Sequence, residues 1–204
     1  MPLTLRHMRE SDIGDVVHIE RRVFTNPWPT YSFHHEVSIS NCSFMVALVA
    51  PPRVVPAIHR PRWRFLWRQR GNGGERVVGY GGLWVVADEG HISSIATHPD
   101  QRGNGYGELL LCAMLHQALR QSAGYAVLEV RRTNHIAQAL YIKYGFAIVD
   151  TKRGYYADGE DGYLMRLDLN DAARHAITTR WGAIRERVHF TDAYTTTPHP
   201  RLNR

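Results

Sequence analysis

Three stretches of this chain hold residue types that could do chemistry together. Residues 102–107, Arg102-Gly103-Asn104-Gly105-Tyr106-Gly107, place three glycines between a strand-like run ending near Thr97 and a helix-like run opening near Gly105. Glycines let successive backbone N–H groups converge on a ligand, and the new helix adds its positive N-terminal dipole. Such a loop binds phosphate without specialised side chains, and Arg102 adds a fixed charge at the rim. Glu129 lies in the apolar run Tyr125-Ala126-Val127-Leu128-Glu129-Val130-Arg131. A carboxylate there has two readings: a structural ion pair with Arg131 or Arg132, or a general base of raised pKa facing a cleft. Asn134 either caps the following helix or turns its amide to a ligand. Tyr141, two helical turns further on, is either a core residue or an acid, since a phenol of pKa ~10 could protonate a thiolate leaving group of pKa ~8.5.

Other reactive residue types form no such group. Cys42 and Cys112 have no Cys or His neighbour at metal spacing and read as small buried apolar residues. His34, His35, His91 and His98 form no metal pattern and read as surface or core histidines, so no metal is expected. Asp158, Glu160 and Asp161 could draw in a cationic substrate, or could form a solvated hairpin tip.

The elements that must position these residues follow from periodicity. Leu3 and Leu5 alternate with polar residues as a short first strand, and Ser11 and Asp12 can cap a helix running to about Val23. Asn26-Pro27-Trp28-Pro29 must be a loop, and Thr30 could cap a second helix through Ile39. Strands are expected at Phe44–Ala50, Val77–Ala87 and His91–Thr97, with a turn at 71–74. A helix from about Tyr106 to Gln121 turns Leu109, Leu110, Ala113, Met114 and Ala118 inward. A strand Tyr125–Arg131 and a helix Asn134–Tyr144 follow, the helix closed by Gly145, and then strands Phe146–Thr151 and Tyr163–Leu169. Hairpins mixed with crossover helices imply an α/β fold with a mixed sheet and helices on both faces.

Composition narrows the setting. The chain has 204 residues, 44% of them hydrophobic, enough for one core plus appendages. Its longest apolar run, Phe44 to Ala50, is far short of the ~20 residues of a membrane span, and the charged N-terminus lacks a signal core. A cytoplasmic protein without a membrane partner is expected. The net charge of +6 is uneven: residues 51–76 hold seven Arg and one Glu, residues 171–204 six Arg and three acids, and the remainder is mildly acidic. The basicity belongs to two attachments and concerns their partners.

Taken in order, Ile95-Ala96-Thr97-His98-Pro99, the Arg-x-x-Gly-x-Gly loop, Leu128-Glu129-Val130-Arg131 with Asn134, and Ala139-Leu140-Tyr141 leading to Tyr144-Gly145-Phe146 resemble the GNAT acetyltransferase superfamily. Asn26-Pro27-Trp28-Pro29 and the segment Tyr155–Met165 resemble the bacterial ribosomal-protein-alanine N-acetyltransferases within it. The likeness covers roughly residues 3–50 and 77–169. It implies a GNAT fold whose sheet splays between the strands ending at Thr97 and Arg131. It implies acetyl-CoA as cosubstrate, its pantetheine arm held by the backbone of Ile95, Ala96 and Thr97 and its pyrophosphate by the amides of Arg102 to Gly107. Asn134 would contact the cofactor, Glu129 would be the base and Tyr141 the acid. The acceptor implied is a protein N-terminus, the alanine of a small-subunit ribosomal protein. An α-amine of pKa ~7.7–8.0 is nearly neutral at physiological pH, whereas lysine at ~10.4 demands more help. Other N-termini, lysines or a small amine remain alternatives, as does a ribosome-associated binding protein without turnover.

The expected organisation is a catalytic domain over residues 1–169 with a basic insertion at about 51–76, then a helical and extended tail over 170–204, the whole a monomer. Arg62-Trp63-Arg64-Phe65-Leu66-Trp67-Arg68 alternates aromatic and basic residues, which would suit a ribosome or rRNA contact, or would belong to a poorly ordered loop. Ile177, Trp181, Ile184 and Val188 make a helical stripe that would pack on the domain or a partner, with fraying after Thr195.

Overall fold

The computed structural model describes residues 2–51 and 74–199, so the expectations for most of the basic insertion and for the turn at 71–73 lie outside the described residues. Eight strands form one mixed sheet: β1 (Leu3–His7), β2 (Val46–Ala50), β3 (Arg76–Val86), β4 (Glu89–Thr97), β5 (Tyr125–Arg131), β6 (Ala147–Lys152), β7 (Gly162–Asp168) and β8 (Phe190–Asp192). Their order across the sheet is β6-β7-β5-β4-β3-β2-β1-β8. β1 to β4 pair antiparallel in succession, β4 and β5 run parallel, and β7 lies antiparallel between β5 and β6.

Helices cover both faces, as the mixed pattern requires. α1 (Ile13–Val23) and α2 (Thr30–Ser38) lie on one, where Val16, Ile19 and Phe33 pack against Ala47, Val49 and Tyr80. α3 (Tyr106–Arg120) and α5 (Asp171–Arg187) cover the other, joined at its margin by Ala137, Leu140 and Tyr141 of α4 (His135–Lys143). α4 begins as read, with Asn134 Oδ1 accepting the Ala137 amide at 3.2 Å. It ends at Gly145, whose φ of +95° is open to glycine at little steric cost.

Two caps differ from expectation. Asp12 stands at the N-cap position of α1 with helical dihedrals, but its side chain makes no capping bond to that helix; it is fully buried, and its carboxylate accepts both Arg6 guanidinium nitrogens and, one turn earlier, the Arg9 amide. The buried arginine takes the carboxylate that the first turn of α1 would otherwise use, so neither Asp12 nor Ser11 caps α1 through its side chain. Thr30 is likewise the first residue inside α2, with Pro29 in the capping position and no side-chain cap.

The C-terminal segment differs most. α5 lies against α3 and buries Ile177, Trp181 and Ile184. Covered on its second face, α3 also buries Leu111, Cys112, Leu115, Gln117 and Leu119, well beyond the inner stripe expected of a surface helix. β8 then adds to the sheet parallel to β1, Tyr194 is fully buried, and its hydroxyl donates to Phe44 O at 2.9 Å. Instead of fraying after Thr195, the chain continues to His199, whose ring meets Phe44 and His7 edge-on at 5.0 and 4.9 Å.

Candidate active site

The site begins where the sheet forks. β4 and β5 pair only through Glu89–Ile92 with Tyr125–Leu128. Beyond that point β5 stays bound to β7, and β4 stays bound to β3 through Ile95↔Gly81, Ala96↔Tyr80 and Thr97↔Gly79. The bulge that shifts the register between Gly82 and Leu83 helps turn β4 aside. Among the described residues, Ser93 to Thr97 therefore have no strand on the β5 side, and their free backbone edge could bind an extended amide-bearing ligand.

Glu129 is the first residue of β5 past the last β4 pair. Its strand neighbours Leu128 and Val130 enter the core under α3, so alternation turns Glu129 to the α1 face. There it accepts from His91 Nε2 at 2.8 Å and from Lys152 Nζ at 2.5 Å, with 11% of its side chain exposed. The hydrogen bond with His91 is the largest influence on its acidity and that with Lys152 adds to it. Together they outweigh burial and hold the carboxyl at about 2. This corrects the expectation of a raised pKa. The expected ion pair also forms with another partner: Arg131 binds Asp158, Glu160 and Thr25, while Arg132 faces Asp161.

His91 and Lys152 are the site residues that sequence reasoning missed. They lie 38 and 23 positions from Glu129 in the chain, so no local spacing could have paired them. Trp84 packs edge-on against His91 with ring centroids 5.4 Å apart, and Tyr155 lies 5.1 Å from the Lys152 ammonium. The acidic turn is less available to a cationic substrate than expected. Asp158 and Glu160 bind Arg131, Glu160 also takes the Thr133 hydroxyl and amide, and Asp161 accepts the Gly154 amide.

Tyr141 is half-buried, its ring 6.0 Å from that of Phe146, and its hydroxyl bonds no other described residue. Burial pushes its phenol above the ordinary value, so it stays protonated across the physiological range. Asn134 is exposed, and its side-chain oxygen is engaged in capping.

At the other end of the fork, Gly103 and Gly105 take φ of +80° and +77°, and α3 starts at Tyr106 with its first amides orphaned. Asn104 closes the loop from within by donating to Gln101 O at 3.0 Å. Glu108, in the first turn of α3, would oppose an anion there, yet Lys143 binds it at 2.6 Å and Arg187 at 2.8 Å. The Arg187 guanidinium also lies 3.2 Å from where a Cβ on Gly105 would stand. Two cations on one acid leave the loop electropositive, a contribution from α4 and α5 that sequence reasoning did not include.

An open strand edge, an anion-suited loop and a pinned carboxylate along one fork fit an acyl-thioester of a phosphorylated carrier. The family model of the acetyltransferase (GNAT) family matches residues 13–146, which include the fork, the loop, Glu129 and Tyr141. The chain belongs to the GNAT acetyltransferase family. Relatives include a Bacillus subtilis protein named for ribosomal protein bS18-alanine N-acetylation, 32% identical over 82% of this chain and 96% of its own length. An N-alpha-acetyltransferase of Saccharolobus solfataricus is 33% identical over 81% of this chain and 93% of its own. The crystal structure of the Escherichia coli ribosomal-protein-S18-alanine N-acetyltransferase superposes with a TM-score of 0.64 at 26% identity, covering 82% of this chain and 94% of that one. This GNAT enzyme takes its acetyl group from acetyl-CoA. Among the described residues no cluster of His, Cys, Asp or Glu could hold a metal ion, and no helix is long and apolar enough to cross a membrane.

Proposed function

We propose that this GNAT enzyme acetylates the N-terminal α-amine of a protein, the N-terminal alanine of a small-subunit ribosomal protein of the bS18 type. The observation that most supports this reading is Glu129 at the first position past the β4–β5 pairing, ionised and flanked by His91 and Lys152. An incoming N-terminal ammonium offers the same charge and donors as Lys152 and would take its place. At about 2, Glu129 is a poor match for an amine of pKa ~7.7–8.0. With Lys152 displaced and bulk solvent kept out, its proton affinity rises, and it takes the amine's proton directly or through one retained water.

The thioester supplies an activated carbonyl carbon and a sulfur leaving group. The neutral amine attacks that carbon, the C–S bond breaks, Tyr141 gives its proton to the departing sulfur, and the proton the nitrogen sheds on becoming an amide returns to the Tyr141 oxygen. The backbone of Ile95, Ala96 and Thr97 holds the pantetheine arm along the free edge of β4. The amides of Arg102, Gly103, Asn104, Gly105, Tyr106 and Gly107 hold the pyrophosphate, and the Asn134 side-chain amide reaches the cofactor beside its capping oxygen. Residues 1–169 form the catalytic unit and 170–204 an attachment that steadies it. The enzyme works as a monomer in the cytoplasm, with residues 51–76 contacting the ribosome or its RNA.

The test is acetyl-CoA with peptides carrying free or blocked N-termini, read by mass spectrometry. Acetylation of the free α-amine, strongest for the N-terminal sequence of the small-subunit protein, is expected. Transfer confined to internal lysines or small amines would overturn the acceptor, and the absence of any transfer would leave a binding protein.

A further inference from the structure

Glu20 is a carboxylate that the transfer chemistry does not touch. It is 3% exposed, and burial pushes its carboxyl up to about 7 despite the pull of a hydrogen bond from Trp28. One oxygen accepts the Trp28 backbone amide at 2.9 Å and the other accepts the Tyr80 hydroxyl. Pro27 and Pro29 have no N–H, so within Pro27–Pro29 the Trp28 amide is the one backbone donor that a buried acceptor can hold.

That amide belongs to a loop built against the reaction centre. The Trp28 ring stacks on Trp84 with centroids 6.0 Å apart and lies 5.6 Å from Phe33. Trp84 meets His91 edge-on, and His91 binds Glu129. Thr25, three residues before Trp28, accepts from Arg131 at 2.6 Å, two residues past Glu129. The loop is thus fixed from inside by Glu20, across by Trp84 and at its start by Arg131. Either the carboxylate or a neutral carbonyl oxygen at this position can accept the Trp28 N–H, and losing that acceptor leaves the amide unpaired in the protein interior.

We infer that Glu20 is a positioning residue for the acceptor: by gripping the Trp28 amide it sets the Trp28–Trp84 wall against which the first residues of the incoming polypeptide lie beside Glu129. This rests on the reading that Glu129 receives the acceptor amine. Glu20 touches no substrate and acts through Trp28, so its loss moves acceptor binding and leaves donor binding alone.

The test compares wild type, Glu20→Met, which keeps the volume without an acceptor, and Glu20→Gln, which keeps a neutral one. With acetyl-CoA and a free-N-terminus peptide, Glu20→Met is expected to raise the peptide KM roughly tenfold, the effect of one buried hydrogen bond, with the acetyl-CoA KM within about twofold. Glu20→Gln recovers most of it. Hydrogen exchange at the Trp28 amide, which needs no turnover, speeds up by a similar factor in Glu20→Met and less in Glu20→Gln. An unchanged peptide KM, equal rises in both KM values, or unchanged Trp28 exchange overturns the inference. Should Glu20→Met not fold, Glu20→Leu takes its place with the same expected rise in peptide KM and in Trp28 exchange, and wild-type values there overturn it. A wild-type protein that acetylates no peptide removes the acceptor reading itself, while the exchange measurement still decides whether Glu20 grips the loop.

Discussion

Replacing Glu129 by Gln removes a charge on which two other residues depend, and the consequence should appear in stability as well as in turnover. The folded protein holds this carboxyl at about 2, against an ordinary value near 4.5, because His91 and Lys152 both hydrogen-bond it. At 1.36 kcal/mol per pKa unit the difference is worth roughly 3 kcal/mol, and partial exposure of Lys152 reduces this to about 2–3 kcal/mol. The folded pKa lies below the unfolded one, so this stabilisation is fully present above about pH 5. It is lost as pH falls from 4.5 toward 2. The Gln variant has nothing to titrate at this position. Urea unfolding of both proteins from pH 7 to 3 should show the wild type losing most of those 2–3 kcal/mol relative to Glu129→Gln below pH 5. Stability curves that run parallel over the whole range would show that the carboxylate is not held as described. At neutral pH the same variant should lose transfer by roughly 10²–10⁴-fold, the usual contribution of a positioned base. A wild-type rate would remove that role.

Tyr141→Phe should fold with stability within about 0.5 kcal/mol of wild type, since the hydroxyl bonds no other described residue, yet lower kcat by roughly 10²-fold with little change in either KM; an unchanged kcat removes Tyr141 as the acid. Asp12→Ala leaves the buried Arg6 guanidinium with the part-exposed Glu75 at 3.1 Å as its carboxylate and the His7 carbonyl at 3.2 Å, and should cost about 3–5 kcal/mol by denaturant unfolding; a cost under ~1 kcal/mol would mean that water replaces the lost partner. Truncation after residue 169 strips Ile177, Trp181 and Ile184 from the outer face of α3 and exposes the β1 edge. Calorimetry should then show no cooperative unfolding transition, and a cooperative transition near the wild-type temperature would make residues 1–169 an independent domain.

The sequence by itself determined what repeats at short range. Among the described residues, seven of the eight strands, the five α-helices, the glycine loop, the Asn134 cap and the Gly145 stop follow from period-two and period-3.6 patterns and local backbone chemistry, each decided within a few residues. The candidate base, acid and phosphate loop were named from the same local evidence, together with a family resemblance. What needed the tertiary structure is everything that depends on distant partners. β8 is three residues long and pairs with Leu3–Leu5 from the far end of the chain, so it has no pattern of its own. The Asp12 side chain makes no capping bond to α1 because the fold buries Arg6 beside it, and that guanidinium needs a carboxylate. The pKa of Glu129 moved down because His91 and Lys152 arrive from two other strands, and their hydrogen bonds outweigh the burial that sequence alone foresaw. Local chemistry chose the residue types, but Coulomb energy and desolvation depend on which charges the fold brings within 3 Å, and only folding sets those distances.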